Sequence, residues 1–235
     1  MIVRCHEELF EMFPTASIHG IVFEGVAGID PGLAIPWKSQ AVDSVRSSGI
    51  TADNILESPP VKEWRNAFQK FGVKPSKYRS SIEQLLRRAL KNDILQTPLT
   101  LVNLYCYVSL IQLVPMGAYD LQNIKGDITV RFGDSGEPFL GIGESDPILC
   151  DPGVVVYSDD GGLICWAWNH RDAARTSLTQ QSNRVIFFAD SASRESERRA
   201  ETAMSLLRDA LTPTAAIEIA SFVLTCANRT ATINS

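Results

Sequence analysis

The run Gly133-Asp134-Ser135-Gly136 is one place where chemistry could sit, because a serine in a tight glycine turn can present a nucleophilic hydroxyl. Such a serine needs a histidine base and an orienting carboxylate. No histidine segment suited to that task precedes it, and Glu137 stands where a further glycine would be wanted, so the run reads as a hairpin turn. Of the histidines, His6 and His19 have local, structural surroundings. His170 is in a conspicuous polar context, where it reads either as a general base or as a surface histidine. The cysteines Cys5, Cys106, Cys150, Cys165 and Cys226 are far apart with no Cys-x-x-Cys pair, which predicts buried thiols in a reducing compartment and no metal site. No G-x-x-x-x-G-K loop exists, and Gly141-Ile142-Gly143 lacks the rest of a dinucleotide fingerprint, so no cofactor is expected.

The 235 residues are 45% apolar, enough to bury one substantial core, and the net charge of −5 argues against indiscriminate binding to nucleic acid. DNA is not an expected partner. One segment departs from this balance: between Lys74 and Lys91 six basic residues face the single acid Glu83. Lys77, Arg79, Arg87, Arg88 and Lys91 there read either as a solvated helix surface or as contacts to RNA phosphates. Glu7, Glu8 and Glu11 interrupt the N-terminal apolar residues, which excludes a secretory signal there, and Thr214 to Ala227 is too short to span a membrane. A cytoplasmic protein with no membrane role is expected.

The elements that would position these groups follow from local pattern. Ile18 to Val26 predicts a buried strand. Ser58, Pro59 and Pro60 open a helix in which Val61, Trp64 and Phe68 share a face until Gly72 stops it. Ser80 or Ser81 caps a second helix with Ile82, Leu85, Leu86 and Ala89 inward, and Leu99 to about Leu113 is apolar all round, hence a core helix. Beyond Gly117 the period changes to two. Ile128, Val130 and Phe132 alternate with polar residues, strands follow at Val154 to Tyr157, Leu163 to Trp168 and Val185 to Phe188, and Asp159 to Gly162 signals a hairpin turn. Ser193 to Leu211 is an outer covering helix, and Thr214 to Ala227 a packed helix or strand. The reading is a single α+β domain over residues 1–235, of layered β-sheet and helix, with 193–235 a helical C-terminal extension.

Leu101 to Asp120 (LVNLYCYVSLIQLVPMGAYD), followed by Ile124, Gly126, Ile128 and Val130-Arg131, resembles the B3/B4 domain of the phenylalanyl-tRNA synthetase β subunit. That family carries a buried helix, a P-M-H-A-F-D loop and a K-x-x-G-x-I-x-V-R strand. Lys74 to Arg88 is similar to a basic helix of freestanding B3/B4 proteins, and Trp168-Asn169-His170-Arg171 with Arg175-Thr176 resembles their second signature. Two positions depart: the loop histidine is Gly117, and the glutamate near the end of the last site strand corresponds to Phe187 or its neighbour.

The resemblance implies a freestanding B3/B4 domain that acts as a trans-editing hydrolase of a mischarged aminoacyl-tRNA, because apolar contacts alone separate similar side chains poorly. It is not a complete synthetase. A pocket is implied at Gly117, Tyr119, Asp120, Asn169, Arg171, Arg175 and Thr176, with His170 as the catalytic residue. There Asp120 either holds an amino group or caps the following turn. The other readings are a noncatalytic tRNA- or RNA-binding module and a small-molecule amino-acid-binding protein.

Overall fold

A computed structural model describes residues 1–234. In chain order the elements are β1 (Ile2–Cys5), α1 (Glu7–Met12), β2 (Ser17–Glu24), α2 (Ile35–Ser47), α3 (Pro59–Lys70), α4 (Ser81–Ala89), α5 (Thr100–Gln112), β3 (Met116–Asp120) and β4 (Ile128–Phe132). Then come β5 (Pro138–Phe139), β6 (Ile148–Leu149), β7 (Val155–Asp159), β8 (Gly162–Trp166), β9 (Arg171–Asp172), β10 (Arg184–Ser191), α6 (Arg194–Leu211), β11 (Ile217–Leu224) and β12 (Thr230–Thr232). The α+β class is as expected.

The strands divide between two principal sheets. One runs β12-β1-β4-β7-β8-β9, with β1 and β4 parallel; the other is antiparallel in the order β11-β2-β10-β3, and β5 and β6 form a small hairpin apart. Because side chains alternate along a strand, the second sheet feeds two cores. Ile18, Val22, Tyr119, Ile186 and Phe188 pack with Val130, Tyr157 and Cys165 of the first sheet. Ile21, Phe23, Ala118, Val185 and Phe187 face the other way, onto Leu104 and Val108 of α5 and Ala200, Met204 and Leu207 of α6. The all-apolar α5 therefore lies in the interior, and the amphipathic α6 covers the sheet.

Local signals placed the helix ends well. Ser80 Oγ accepts from Glu83 N at 3.4 Å to cap α4, and Ser193 and Ser196 form a reciprocal capping box at the start of α6. Ser58 differs: its hydroxyl donates to the Ile55 carbonyl at 2.6 Å instead of capping α3. The helical extension expected over 193–235 holds only to Leu211, since β11 and β12 follow as strands. β11 pairs along β2 and β12 along β1, so their partners lie almost the whole chain away. Cys226 is exposed, whereas the other four cysteines are buried as expected.

The chain leaves regular structure at the end of β8. The strand expected to run to Trp168 stops at Trp166, and Ala167 and Trp168 take left-handed φ values of 53° and 61°. Such residues cost about 1–3 kcal/mol each and persist only where packing fixes them. Here the packing is the Trp168 indole, fully buried and edge-on to Phe13 at 5.0 Å and Trp64 at 5.1 Å, while Trp168 N donates to the Val155 carbonyl at 2.7 Å. The reversed turn brings Asn169 and His170 N onto the Ala167 carbonyl and delivers the chain into β9.

Candidate functional site on the two faces of β9

In β9, Arg171 pairs with Trp166 and Asp172 with Cys165. Directly paired residues share a face and successive residues oppose, so Arg171 lies on the Trp166 face and Asp172 turns inward beside Cys165. Two sites of different character result.

The outer one is a groove of about 390 Å³ whose lining includes Lys77, Tyr78, Arg79, Trp166, His170 and Arg171. His170 Nδ1 lies 2.7 Å from the Arg79 carbonyl oxygen. A carbonyl only accepts, so Nδ1 carries the proton and Nε2 keeps its lone pair. Burial holds the His170 pKa below the usual 6.5 against the pull of that carbonyl, and the Arg171 and Arg79 charges add to the effect. The ring is thus neutral at pH 7, in one tautomer, edge-on to Tyr78 at 5.3 Å and to Trp166 at 5.5 Å.

The cations around it are differently committed. Glu83, with no exposed surface, takes Arg65 at 3.1 Å, Arg87 at 2.9 Å and Arg79 at 3.6 Å. Three guanidinium groups on one carboxylate leave two positive charges uncompensated. Arg88 pairs with Asp93, Arg171 with Glu144 and Arg175 with Asp159. Lys77 and Lys91 are exposed and make no ion pair among the described residues; Lys77 Nζ lies 4.8 Å over the Tyr78 ring.

The inner face carries Asp172. Tyr119 donates its hydroxyl to Asp172 Oδ1 at 2.9 Å, and a Cβ placed on Gly117 would stand in ordinary van der Waals contact with both, 3.6 Å from Oδ2 and 3.8 Å from the Tyr119 hydroxyl, so the glycine packs close to that carboxylate. Gly117 and Asp172 keep part of their surface exposed, but the surrounding protein is dense enough that desolvation pushes the Asp172 pKa up to about 6 against the pull of Tyr119 and Cys165. Burial, with Asp172 next, raises the Tyr119 pKa well above 10, so the phenol remains a donor. No lysine, arginine or histidine pairs with Asp172 among the described residues.

The other expected pocket residues are placed elsewhere. Asp120 is 3% exposed, with Oδ1 accepting from Gln122 N at 3.0 Å and Oδ2 from Ser182 Oγ at 2.6 Å, so it is a turn cap with both oxygens occupied. Thr176 is fully buried, and Asn169 is buried with its amide unpartnered, in the interior near Asp190. Arg175 is held by Asp159 and by the Gly162 carbonyl at 2.9 Å. Gly117 and Tyr119 do come together; the residue they meet, Asp172, was not among those singled out. Phe188, not Phe187, pairs with Gly117 and shares its face. The Gly133 to Gly136 run is a turn in which Glu137 accepts from Asp134 N at 2.7 Å and pairs with Arg131.

Residues 63–215 match the family described as the B3/4 domain. Over 80 residues, 34% of the chain, it is 38% identical to the phenylalanine–tRNA ligase beta subunit of Cutibacterium acnes, of which this covers 9%. An N-terminal fragment of the phenylalanyl-tRNA synthetase beta-subunit from Pyrococcus horikoshii is similar over 94% of this chain and 49% of its own, at 12% identity and a TM-score of 0.46. The chain therefore spans a small part of the curated relative and about half of the solved fragment. The matched segment runs from α3 past α6 and holds both faces of β9, and the chain belongs to the B3/4 domain family.

Proposed function

We propose that this B3/4 domain hydrolyses the ester of a mischarged aminoacyl-tRNA in trans, with the outer groove receiving the end of the RNA. The observation that carries the reading is His170: a neutral imidazole with its tautomer set by the Arg79 carbonyl, its Nε2 free of hydrogen-bond partners among the described residues, in a groove with cations and aromatic rings. The Cutibacterium acnes relative is by name a subunit of a phenylalanine–tRNA ligase, and ester-linked amino acids are the chemistry that B3/4 resemblance brings.

In this reading Nε2 takes a proton from water as the water oxygen bonds to the ester carbonyl carbon. Arginine donors stabilise the oxyanion that forms. The tetrahedral species then collapses, the bond from carbon to the ribose oxygen breaks, and the imidazolium returns its proton to the departing hydroxyl. Tyr78 and Trp166 supply surfaces for a base, and Lys77, with the surplus charge around Glu83, faces the phosphates.

The test is release of labelled amino acid from a panel of correctly and incorrectly charged tRNAs at substoichiometric protein. Turnover of one mischarged species that His170→Ala removes supports the mechanism; turnover unchanged in that variant ends the role of His170. No release across the panel, with binding that weakens steeply in salt, would favour a noncatalytic tRNA-binding module, the reading that the unpaired Lys77 and Lys91 support.

A further inference from the structure

We propose that the outer groove selects ligands with a free ammonium group, received by Asp146, so that its substrates are aminoacyl esters of an RNA end and not N-blocked or peptidyl ones. The ester and the RNA rest on the proposed function; the ammonium contact does not. Three chain segments build the groove: Lys77-Tyr78-Arg79 before α4, Trp166 with His170 and Arg171 at the end of β8 and in β9, and the β5–β6 loop with Glu144 and Asp146. That loop is fixed against β9. Ile142 N donates to the Asp172 carbonyl and Ala174 N to the Leu140 carbonyl, both at 3.0 Å, and Phe139 pairs with Ile148 to close the loop at its base. A Cβ on Gly141 would fall 2.5 Å from Arg171 Cδ, so loop and strand are in close contact, and Asp146 lines the same cavity as His170.

The two acids of the loop are unequally committed. Glu144 is held by Arg171, whereas Asp146 accepts only the Ser145 hydroxyl, at Oδ2 and 2.8 Å, and has no cationic partner among the described residues. Lys77, from another segment of the lining, also makes no ion pair there. The groove thus offers one uncompensated anion and one uncompensated cation, with the neutral His170 imidazole in the same lining. A nucleotide without an acyl group meets the cation but is repelled by Asp146. A nucleotide esterified to an amino acid has phosphate at one end and ammonium at the other, and answers both charges. Its ammonium is separated from the ester carbonyl by a single carbon. The group that holds the ammonium must therefore share a cavity with the group that activates the water, as Asp146 and His170 do. Acylation of the amine, as in a peptidyl group, removes the positive charge and leaves Asp146 unanswered.

The experiment is calorimetric titration with unhydrolysable amide analogues of aminoacyl-adenosine monophosphate carrying glycine, serine, phenylalanine or tyrosine, each beside its N-acetyl form. At least one free-amine analogue should bind, and N-acetylation should weaken it by about fivefold, the size of one charge pair at a solvated groove. Asp146→Asn should weaken the free-amine form by the same factor and leave the N-acetyl form unchanged, so that the two changes are not additive. Asp146 is exposed on a loop, so the variant keeps the fold. Equal binding of the two forms, an equal loss of both in Asp146→Asn, or no binding by any analogue would each overturn the ammonium contact. The second arm compares release of the acyl group from aminoacyl-tRNA and N-acetyl-aminoacyl-tRNA. Release at equal rates would overturn the selection and retain the hydrolase. Selective binding of the free-amine analogues with no release from any charged tRNA would keep the contact and reject the hydrolase.

Discussion

Asp190 makes this protein's stability depend on pH in an unusual direction. It lies on β10, 5% exposed, accepts the Tyr157 hydroxyl at Oδ1, and has no cationic partner among the described residues; burial pushes its pKa up to about 7 from 3.8. The Trp168 indole and Asn169 amide lie near enough to favour the charge, but neither completes a hydrogen bond to it. A carboxyl whose folded-state pKa is raised stabilises the fold fully below its unfolded pKa and loses that contribution as the pH rises through the folded value. About three units at about 1.4 kcal/mol each amount to about 4 kcal/mol between pH 4 and 7. Above pH 5 the unfolded residue is already ionised, so about 3 kcal/mol of the loss falls between pH 5 and 8. Asp172, raised to about 6, adds a smaller loss in the lower part of that window. Asp190→Asn keeps an acceptor for the Tyr157 hydroxyl and removes the titration. Urea unfolding at pH 5, 6, 7 and 8 should show the unaltered protein weakening across the series and the variant flatter by about 3 kcal/mol, overtaking it near neutrality. Parallel profiles for the two proteins would refute the reasoning, because the slope would then arise elsewhere.

Glu83→Gln should cost about 3 kcal/mol in denaturant unfolding, since three guanidinium groups lose their shared buried anion; a change below about 0.5 kcal/mol would mean that those arginines are satisfied by water. Gly126 has φ +68°, and a Cβ there would fall 2.0 Å from Asp160 Oδ2, a side-chain end that can swing away. Gly126→Ala should therefore lower stability by about 1 kcal/mol, chiefly through its left-handed backbone, as read from thermal melting. Lys77→Ala with Lys91→Ala should reduce the slope of log affinity for tRNA against log salt by about one to two, whereas Arg88→Ala, whose charge Asp93 already offsets, should change it less.

The elements with strong local signals were legible in the sequence. α3, α4 and α6 each have an apolar stripe, α5 is apolar all round, and the Asp159 to Gly162 turn joins β7 to β8 as read. The helices α1 and α2 escaped because they are short or bury few residues, Ala41 and Val45 in α2, and the strands that escaped depend on distant partners. β1 and β12 are short and meet across the whole chain, Met1 N donating to the Ile233 carbonyl at 3.1 Å. β11 is a half-exposed edge strand with weak alternation, and its partner β2 supplies the reason for Gly20, where a Cβ would fall 2.1 Å from the Phe222 ring. The candidate site was legible by halves. Gly117, Tyr119, His170 and Arg171 were read from the sequence, but Asp172 was not, because only its register with Cys165 turns it inward to Gly117. Asp120 was conspicuous for its place in the loop, and that place is explained by a turn.

Charge commitment sets what the outer groove can do. Among the residues first read as an RNA-facing surface, the arginines are engaged by acids of the same chain, and the groove itself carries Glu144 and Asp146 opposite Lys77 and Arg171. Phosphate attraction from two free lysines and a partly compensated arginine cluster is a modest, salt-sensitive source of affinity and carries no information about what is attached to the RNA. If the proposed hydrolysis takes place, discrimination between acyl groups must come from a site where a wrong ligand strands a buried group, because that penalty is larger than the gain from one apolar contact more or less.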